Sequence, residues 1–179
     1  MTTEIDAFEF TRTGHSLEGC VPVSSLVRLA SLLAGNDGEI TWRLDGWRQP
    51  MAGGREQLHL RLRASGSAGL PCGRCLGVVT LPLGIDRTFL LAPTEVEAAE
   101  LDDAEDELDV LVATRSFSVL ELLEDEAILA LPPAASHAQC DRPSSRREER
   151  ATGVEQSASD AAARSPFAAL QSLKRKPSS

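Results

Sequence analysis

Two stretches of the chain alternate apolar and polar side chains on either side of a Cys72-Gly73-Arg74-Cys75 turn. The first stretch has leucine at positions 58, 60 and 62, and the second has apolar residues at positions 79, 81, 83 and 85. Successive side chains of a β-strand point to opposite faces, so each stretch predicts a strand with one buried face. Residues 87–91 extend the second strand beyond a bend at residues 84–86. The expected product is an antiparallel sheet or a small open barrel.

Helical spacing appears before and after these strands. Apolar residues recur at positions 26, 29, 30 and 33, and Gly35 supplies a C-terminal stop. Ser118 is followed three residues later by Glu121, a capping box that opens a second helix, and Pro132-Pro133 ends it. Residues 40–44 and 108–112 read as further strands. The sequence therefore predicts an α+β fold in which a small antiparallel sheet or open barrel packs with one or two helices.

The length and composition limit the number of domains and the cellular setting. A chain of 179 residues is long enough for one core and a tail. No run approaches the roughly 20 apolar residues that span a bilayer. Four cysteines without an apolar, signal-like N-terminus favour a reducing compartment, where cysteine pairs bind metal or stay free. We expect a soluble cytoplasmic protein without a membrane partner.

The net charge of −9 is unevenly distributed. Residues 1–94 carry nine arginines against nine acidic residues and are neutral. Residues 95–140 carry one arginine against thirteen acidic residues, a charge of −12, and residues 141–179 carry eight basic against five acidic residues, a charge of +3. Such a distribution acts on encounter with charged partners, not on the fold.

Composition also divides the chain into segments. Residues 1–140 are predicted to form the domain, with an acidic loop at 95–109, where nine of fifteen positions are acidic and none is basic. Residues 141–165 lack periodicity and predict a flexible tether. Residues 166–176, close to the C-terminus, predict a short docking motif, because three apolar residues recur at helical spacing before a cationic end. The predicted partner-binding residues are Phe167, Leu170, Leu173, Lys174, Arg175 and Lys176.

Cysteine and histidine spacing predicts a metal site. Cys72 and Cys75 form one pair, and His137 and Cys140 form a second pair some sixty residues later. Two such pairs supply the four ligands of a tetrahedral zinc site, which would join the turn to the end of the long helix. Two alternatives stay open: reduced thiols that only pack the turn, and a dithiol redox centre. The redox alternative is the weaker, because a strand and not a helix follows the turn.

Three blocks of sequence together resemble the YceD-like family of bacterial large ribosomal RNA subunit accumulation proteins. They are Cys72 to Leu76, Glu124 to Pro132 with His137 and Cys140 behind it, and Pro166 to Lys176. The resemblance implies a non-enzymatic factor for processing or accumulation of 23S ribosomal RNA in large-subunit assembly. It implies no catalytic site and no small-molecule substrate. No hydrolase or nucleotide-binding motif is found in the chain.

The implied RNA function conflicts with the acidic charge, because RNA affinity comes largely from Lys and Arg that neutralise phosphates. Two routes remain. Either Arg61, Arg63 and Arg74 form a local cationic face that contacts RNA, or the acidic segment binds a basic ribosomal protein and only the tail meets RNA. The second route is slightly favoured. A protein-protein adaptor, stabilised by zinc and with an indirect effect on RNA, is a further alternative. His59, between two buried leucines, is predicted to be an ordinary surface residue.

Overall fold

A five-stranded sheet lies at the centre of the protein. The structure is a computed structural model that describes residues 4–35, 37–51, 56–103 and 108–140. In chain order the elements are β1 (Glu4–Ile5), α1 (Ala7–Arg12), β2 (Ser16–Pro22), a 3-10 turn (Val23–Ser25), α2 (Val27–Leu32), β3 (Glu39–Pro50), β4 (Glu56–Pro71), β5 (Val78–Ala92), α3 (Glu95–Asp102), β6 (Asp109–Val112), β7 (Phe117–Ser118) and α4 (Val119–Leu129).

The strands of the sheet follow the order β2-β3-β4-β5-β6. All neighbours are antiparallel except β5 and β6, which are parallel, and β1 pairs separately with β7. The predicted α+β class is confirmed, and the sheet is open. The parallel strand was not predicted. It requires a crossover connection, which α3 provides.

The hairpin of β4 and β5 confirms the alternating pattern of the sequence. Its pairing runs without a break from Leu58 opposite Leu91 to Pro71 opposite Val78, so the second strand does extend past residues 84–86. Leu60 and Leu62 are fully buried, with Phe89 beside them in the main core. A smaller core lies under the hairpin end, where Leu70, Cys72, Val79 and Ala135 are buried together.

His59 is not a surface residue, so that prediction was wrong. It is only 5% exposed, and its imidazole stacks on the Trp47 indole with ring centroids 5.2 Å apart. Trp47 and Leu90 flank it on the neighbouring strands. Both faces of the sheet are covered at this end, and alternation in one strand does not reveal such a cover.

The acidic segment is helical where a loop was predicted. Residues 95–102 form α3, and Asp109 begins β6, so the predicted loop at 95–109 is wrong for these residues. The Thr94 side chain accepts a hydrogen bond from the Glu97 backbone N–H, and this cap satisfies a free donor of the first turn. The local cap and the crossover geometry thus outweigh the repulsion among carboxylates. Residues 104–107 lie outside the described part.

Helix α1 was also not predicted, although its sequence carries a start signal. Asp6 caps it by accepting a hydrogen bond from the Glu9 N–H, at 3.0 Å. The helix packs closely on β3 at Gly46, where an added Cβ would lie 2.7 Å from the Phe10 ring. The described ranges therefore hold four α-helices where one or two were expected.

Helix α4 begins with the predicted capping box, since the Ser118 hydroxyl accepts from the Glu121 N–H. Its Glu124 side chain then caps a different helix. One carboxylate oxygen accepts from the backbone N–H groups of Arg28 and Leu29 in α2, at 2.6 and 3.1 Å. The other accepts from Arg28 Nε at 2.9 Å. Because Leu26, the N-cap residue of α2, makes no side-chain cap, Glu124 replaces it and fixes α4 on α2.

The predicted tether at 141–165 and the predicted docking motif at 166–176 lie outside the described residues. Within the described ranges, none of the helices has the length and apolar character needed to cross a membrane.

Candidate metal centre

The four predicted metal ligands come together at the end of the β4–β5 hairpin. Cys72 and Cys75 lie in the turn between the strands, and His137 and Cys140 lie in the segment that follows α4. Cys72 is fully buried, and the other three are half-buried. The backbone carbonyl of Ala135 accepts a hydrogen bond from Gly73 N–H at 2.9 Å, which fixes the second segment against the turn.

The four donor atoms all lie within 4.8 Å of one another. Cys72 Sγ is 3.9 Å from Cys140 Sγ, and Cys75 Sγ is 3.6 Å from His137 Nδ1. Ligands bound to one tetrahedral zinc ion at about 2.0 to 2.3 Å lie roughly 3.5 to 3.8 Å apart. These two separations are therefore close to those of ligands on one ion, and the remaining donor pairs lie within 4.8 Å.

The hydrogen bond of His137 determines which ring nitrogen presents a lone pair to the centre of the cluster. Nε2 lies 2.9 Å from the backbone carbonyl oxygen of Val78. A carbonyl only accepts, so Nε2 carries the proton and donates it, which leaves Nδ1 as the acceptor or ligand atom. Metal-bound histidines commonly make such a second hydrogen bond, because it fixes the ring and its tautomer.

The backbone of the turn also points toward sulfur. The Arg74 N–H donates to Cys72 Sγ at 3.5 Å, while the Cys72 and Leu76 N–H groups close the turn on Gly77 O and Cys72 O. An added Cβ at Gly77 would meet Cys75 Sγ at 3.4 Å and His137 Cε1 at 3.8 Å. Glycine at position 77 therefore leaves space for the sulfur and the imidazole.

The electrostatic environment gives the thiols of Cys72 and Cys140 very different pKa values. Backbone N–H groups of Cys75, Arg74 and His137 lower the pKa of Cys72 to about 5. Its hydrogen bond toward Cys75, its burial and the nearby Cys72 sulfur raise the pKa of Cys140 to about 12. The hydrogen bond to Val78 O and the sulfur of Cys72 raise the pKa of His137. Several thiolates repel one another unless a cation lies between them, and a bound metal ion would remove that repulsion.

These residues fit zinc by donor type, by spacing and by the second hydrogen bond of the histidine. Three thiolates and one imidazole make up a Cys₃His set, which is typical of structural zinc sites. Side chains supply all four positions, and catalytic zinc sites instead leave one position for water or substrate. The geometry also weakens the redox alternative, because Cys72 is buried and a strand follows the pair.

The arginines that the sequence grouped as an RNA-facing set are divided between two places. Arg61 is paired with Asp86 through two hydrogen bonds of 2.7 Å, and Arg63 with Asp45 at 2.5 Å. Eight strand positions separate Arg63 from Pro71 at the hairpin end, about 26 Å at 3.3 Å per residue. Arg74 thus lies far from the other two, and the three do not make one cationic face.

Sequence reasoning missed two residues that build this region. Val78 orients His137 through its carbonyl, and a backbone contact of this kind leaves no signal in side-chain type. Glu124 anchors the helix that precedes His137, and its signal was the missing side-chain cap at the start of α2. The predicted docking residues from Phe167 to Lys176 lie outside the described part of the chain.

The fold and the site define a class of protein. It is an α+β protein in which the β4–β5 turn and the segment after α4 each supply two side chains to a candidate four-ligand metal site. Residues 60–174 match the family model described as large ribosomal RNA subunit accumulation protein YceD. This match covers more than half of the chain, so the protein belongs to the YceD family. The predicted resemblance is confirmed. No curated protein and no solved structure matches the chain.

Proposed function

We propose that this protein is a non-enzymatic cytoplasmic factor of large-subunit assembly, which supports processing or accumulation of 23S ribosomal RNA by binding ribosomal protein, ribosomal RNA or both. The family match supports the link to large-subunit RNA. The family match also carries the non-enzymatic part, and the closed donor set of Cys72, Cys75, His137 and Cys140 supports a structural role for the metal centre. A site with four protein ligands has no position for a substrate, so its role is structural.

Zinc bound by these four residues would join the hairpin end to the segment after α4. The core beneath the centre is small, with Leu70, Val79 and Ala135 as the buried neighbours of Cys72. Burial of so few side chains contributes little stability, and a metal ion compensates for a small core. Zinc supplies cross-linking here, and no chemical step is assigned to it.

The acidic helix α3 is the proposed contact for a basic ribosomal protein. Its carboxylates at positions 95, 97, 100 and 102 are all exposed, and the helix has no basic residue. Asp102 lies at the C-terminal end, where the helix dipole disfavours a negative charge. The helix dipole favours only the two carboxylates of the first turn, Glu95 and Glu97, and the exposed set as a whole complements a lysine- and arginine-rich chain.

The C-terminal residues from Phe167 to Lys176 are the proposed docking group for assembly intermediates. The sequence pattern supports this role, and the family match reaches residue 174, so it includes the apolar positions. Apolar side chains at three-residue spacing followed by cations suit a short helix that gains order on binding.

The test measures association with large-subunit precursors in gradients of cell extract. The variant Phe167→Ser with Leu170→Ser should lose co-sedimentation, as should a chain without residues 165–179. The matched control Ala168→Ser with Ala169→Ser changes the same segment and should keep it. Depletion of the whole protein should lower mature 23S ribosomal RNA. Unchanged 23S ribosomal RNA after depletion would contradict the proposed function, and retained association of the double serine variant would contradict the docking group.

A further inference from the structure

The hairpin end that carries the metal centre is free of acidic residues. Residues 64–83, which form the end of β4, the turn and the start of β5, contain no Asp or Glu, and neither do residues 131–140. The whole chain has 27 acidic residues. Within the described residues, a polyanion therefore meets no carboxylate from these two segments, and a metal ion bound by the cysteines would offset most of the thiolate charge.

Arg74 at the turn differs from most other arginines. It is exposed, and it forms no ion pair with any residue that the structure describes. A carboxylate partner offsets an arginine's positive field and occupies its guanidinium donors, whereas Arg74 has no such partner within the described ranges. The paired arginines of the described ranges are Arg12, Arg28, Arg43, Arg48, Arg61, Arg63 and Arg87.

Leu76 occupies the same turn in a conformation that leucine seldom adopts. Its φ is +62°, in the left-handed region that favours glycine or asparagine, and 82% of the residue is exposed. A solvent-exposed leucine contributes nothing to the core, and its backbone is strained. Val78, two residues further on, is 55% exposed. The turn thus presents two aliphatic side chains to solvent.

We propose that this surface, the knuckle formed by Arg74, Leu76 and Val78, contacts RNA. The inference rests on the proposed function in that the RNA belongs to the large-subunit precursor. Arg74 would bind a backbone phosphate, and the two aliphatic side chains would pack on ribose or on an unstacked base. A basic protein segment is disfavoured here, because the knuckle offers it no carboxylate.

The hydrogen bonds and the donor set explain how a small turn can serve as a contact surface. Leu76 N–H is bonded to Cys72 O at 2.9 Å, and Cys72 N–H to Gly77 O at 2.8 Å. Cys72 itself is fixed in the buried cluster beneath. A surface whose backbone is fixed in advance loses little entropy when it binds.

The experiment compares full-length variants in binding to a fluorescent transcript of large-subunit ribosomal RNA over a series of salt concentrations. Arg74→Gln with Leu76→Asn removes the charge and the apolar contact, and asparagine tolerates the left-handed backbone. We expect the Kd to rise by about tenfold or more, and the salt slope to fall by about one phosphate contact. The matched control is Arg115→Gln with Leu129→Asn, which changes another exposed arginine and another exposed leucine. Its Kd should stay within about twofold of wild type.

A second measurement separates binding from folding. Leu76→Asn alone should keep or raise the melting temperature, because it relieves strain, while its RNA affinity falls. Equal affinity of the knuckle variant and wild type would overturn the proposal and leave the proposed function standing. If the wild-type protein does not bind the transcript but still associates with ribonuclease-treated precursors, its partner is a protein. That result would also overturn the proposed RNA contact. Wild type that associates with no precursor at all would overturn the proposed function itself.

Discussion

The two ends of β5 differ in how they are built. At the Val78 end, buried donors and backbone hydrogen bonds fix a turn that lacks acidic residues. At the Ala92 end, α3 exposes carboxylates that no basic residue of the helix balances. Fourteen steps along the strand at about 3.3 Å each separate the ends by about 46 Å. One end is thus specified by geometry and the other by charge, which suits two chemically different partners.

The largest expected effect on stability is at the Val78 end of β5, where the metal centre lies. Cys72→Ser removes one ligand and should abolish tight zinc binding. If free zinc exceeds its Kd a thousandfold, binding contributes about 4 kcal/mol to folding. For a chain of this size we expect a fall in melting temperature of about 10 °C, measured by circular dichroism. Cys20→Ser, which changes a cysteine outside the centre, is the control and should melt like wild type.

A chelator offers an independent version of this test. Strong chelation should lower the melting temperature of wild type toward that of Cys72→Ser and leave the variant unchanged. Equal melting temperatures for wild type with and without chelator would favour reduced thiols that only pack the turn.

The next largest effect is expected at the α2–α4 contact, which positions the helix ahead of His137. Burial opposes ionisation of Glu124, but the Leu29 N–H and the Arg28 guanidinium outweigh it and lower its pKa from the usual 4.5. Glu124→Gln should cost about 2 kcal/mol at pH 7, because charge-assisted hydrogen bonds are lost. Glu121→Gln, on the same helix, is the control.

The pH dependence of that difference has a definite sign. A carboxyl group whose pKa is lowered by folding stabilises the protein above its unfolded pKa, and this contribution disappears as the pH falls through the folded pKa. The gap in unfolding free energy between wild type and Glu124→Gln should be full at pH 7 and shrink below about pH 4.5. Urea titrations at several pH values measure it, and a gap that grows on acidification would contradict the assignment.

The outer face of the sheet should respond less. Asp45 accepts hydrogen bonds from Ser16, Arg63 and Arg43, and these outweigh its burial and hold its pKa at about 2. Asp45→Asn should cost about 1 kcal/mol, because the pairs are partly exposed. The variant also releases Arg63 and leaves Arg43 paired with Glu18 alone. If the knuckle is the RNA contact, Asp45→Asn should change RNA affinity much less than Arg74→Gln does. If adding Asp45→Asn to Arg74→Gln restored wild-type affinity, the sheet face would be the RNA contact instead.

The smallest effect on stability is expected in α3. Glu100→Gln with Asp102→Asn removes carboxylates from the C-terminal half of the helix, where the helix dipole disfavours negative charge, so the free energy of unfolding should stay constant or rise by a few tenths of a kcal/mol. Binding to a synthetic lysine- and arginine-rich peptide should nevertheless weaken. Glu4→Gln with Glu18→Gln removes the same charge elsewhere and serves as the control. Equal peptide affinity for both double variants would argue against α3 as the contact.

The sequence predicted the parts whose signal is local and regular. The alternation around residues 58–62 and 79–85 predicted the central hairpin, and the Ser118 capping box predicted α4. It did not predict that β6 is parallel or that His59 is covered, because both depend on distant segments. The acidic composition of residues 95–109 led to the prediction of a loop, although Thr94 in the sequence is a residue type that often caps the start of a helix.

The four proposed metal-binding residues could be predicted from the sequence, but their positions relative to one another could not. Spacing identified both donor pairs, whereas their approach to within 4.8 Å depends on where α4 ends relative to the hairpin. The Glu124 contact with α2 and the Ala135 contact with Gly73 fix that position, and neither follows from a motif. The length of β4 separates the Arg74 turn from the paired arginines Arg61 and Arg63.

Metal content tests the central claim most directly, since the structural role of the hairpin end depends on it. The full-length protein, purified from zinc-supplemented cells without chelator, is analysed for metal per chain by elemental mass spectrometry. Wild type should contain one zinc ion per chain and Cys72→Ser none, and cobalt in place of zinc should give the absorption of a tetrahedral thiolate site. Wild type without zinc, or a Cys72→Ser variant with the wild-type zinc content, would contradict the account.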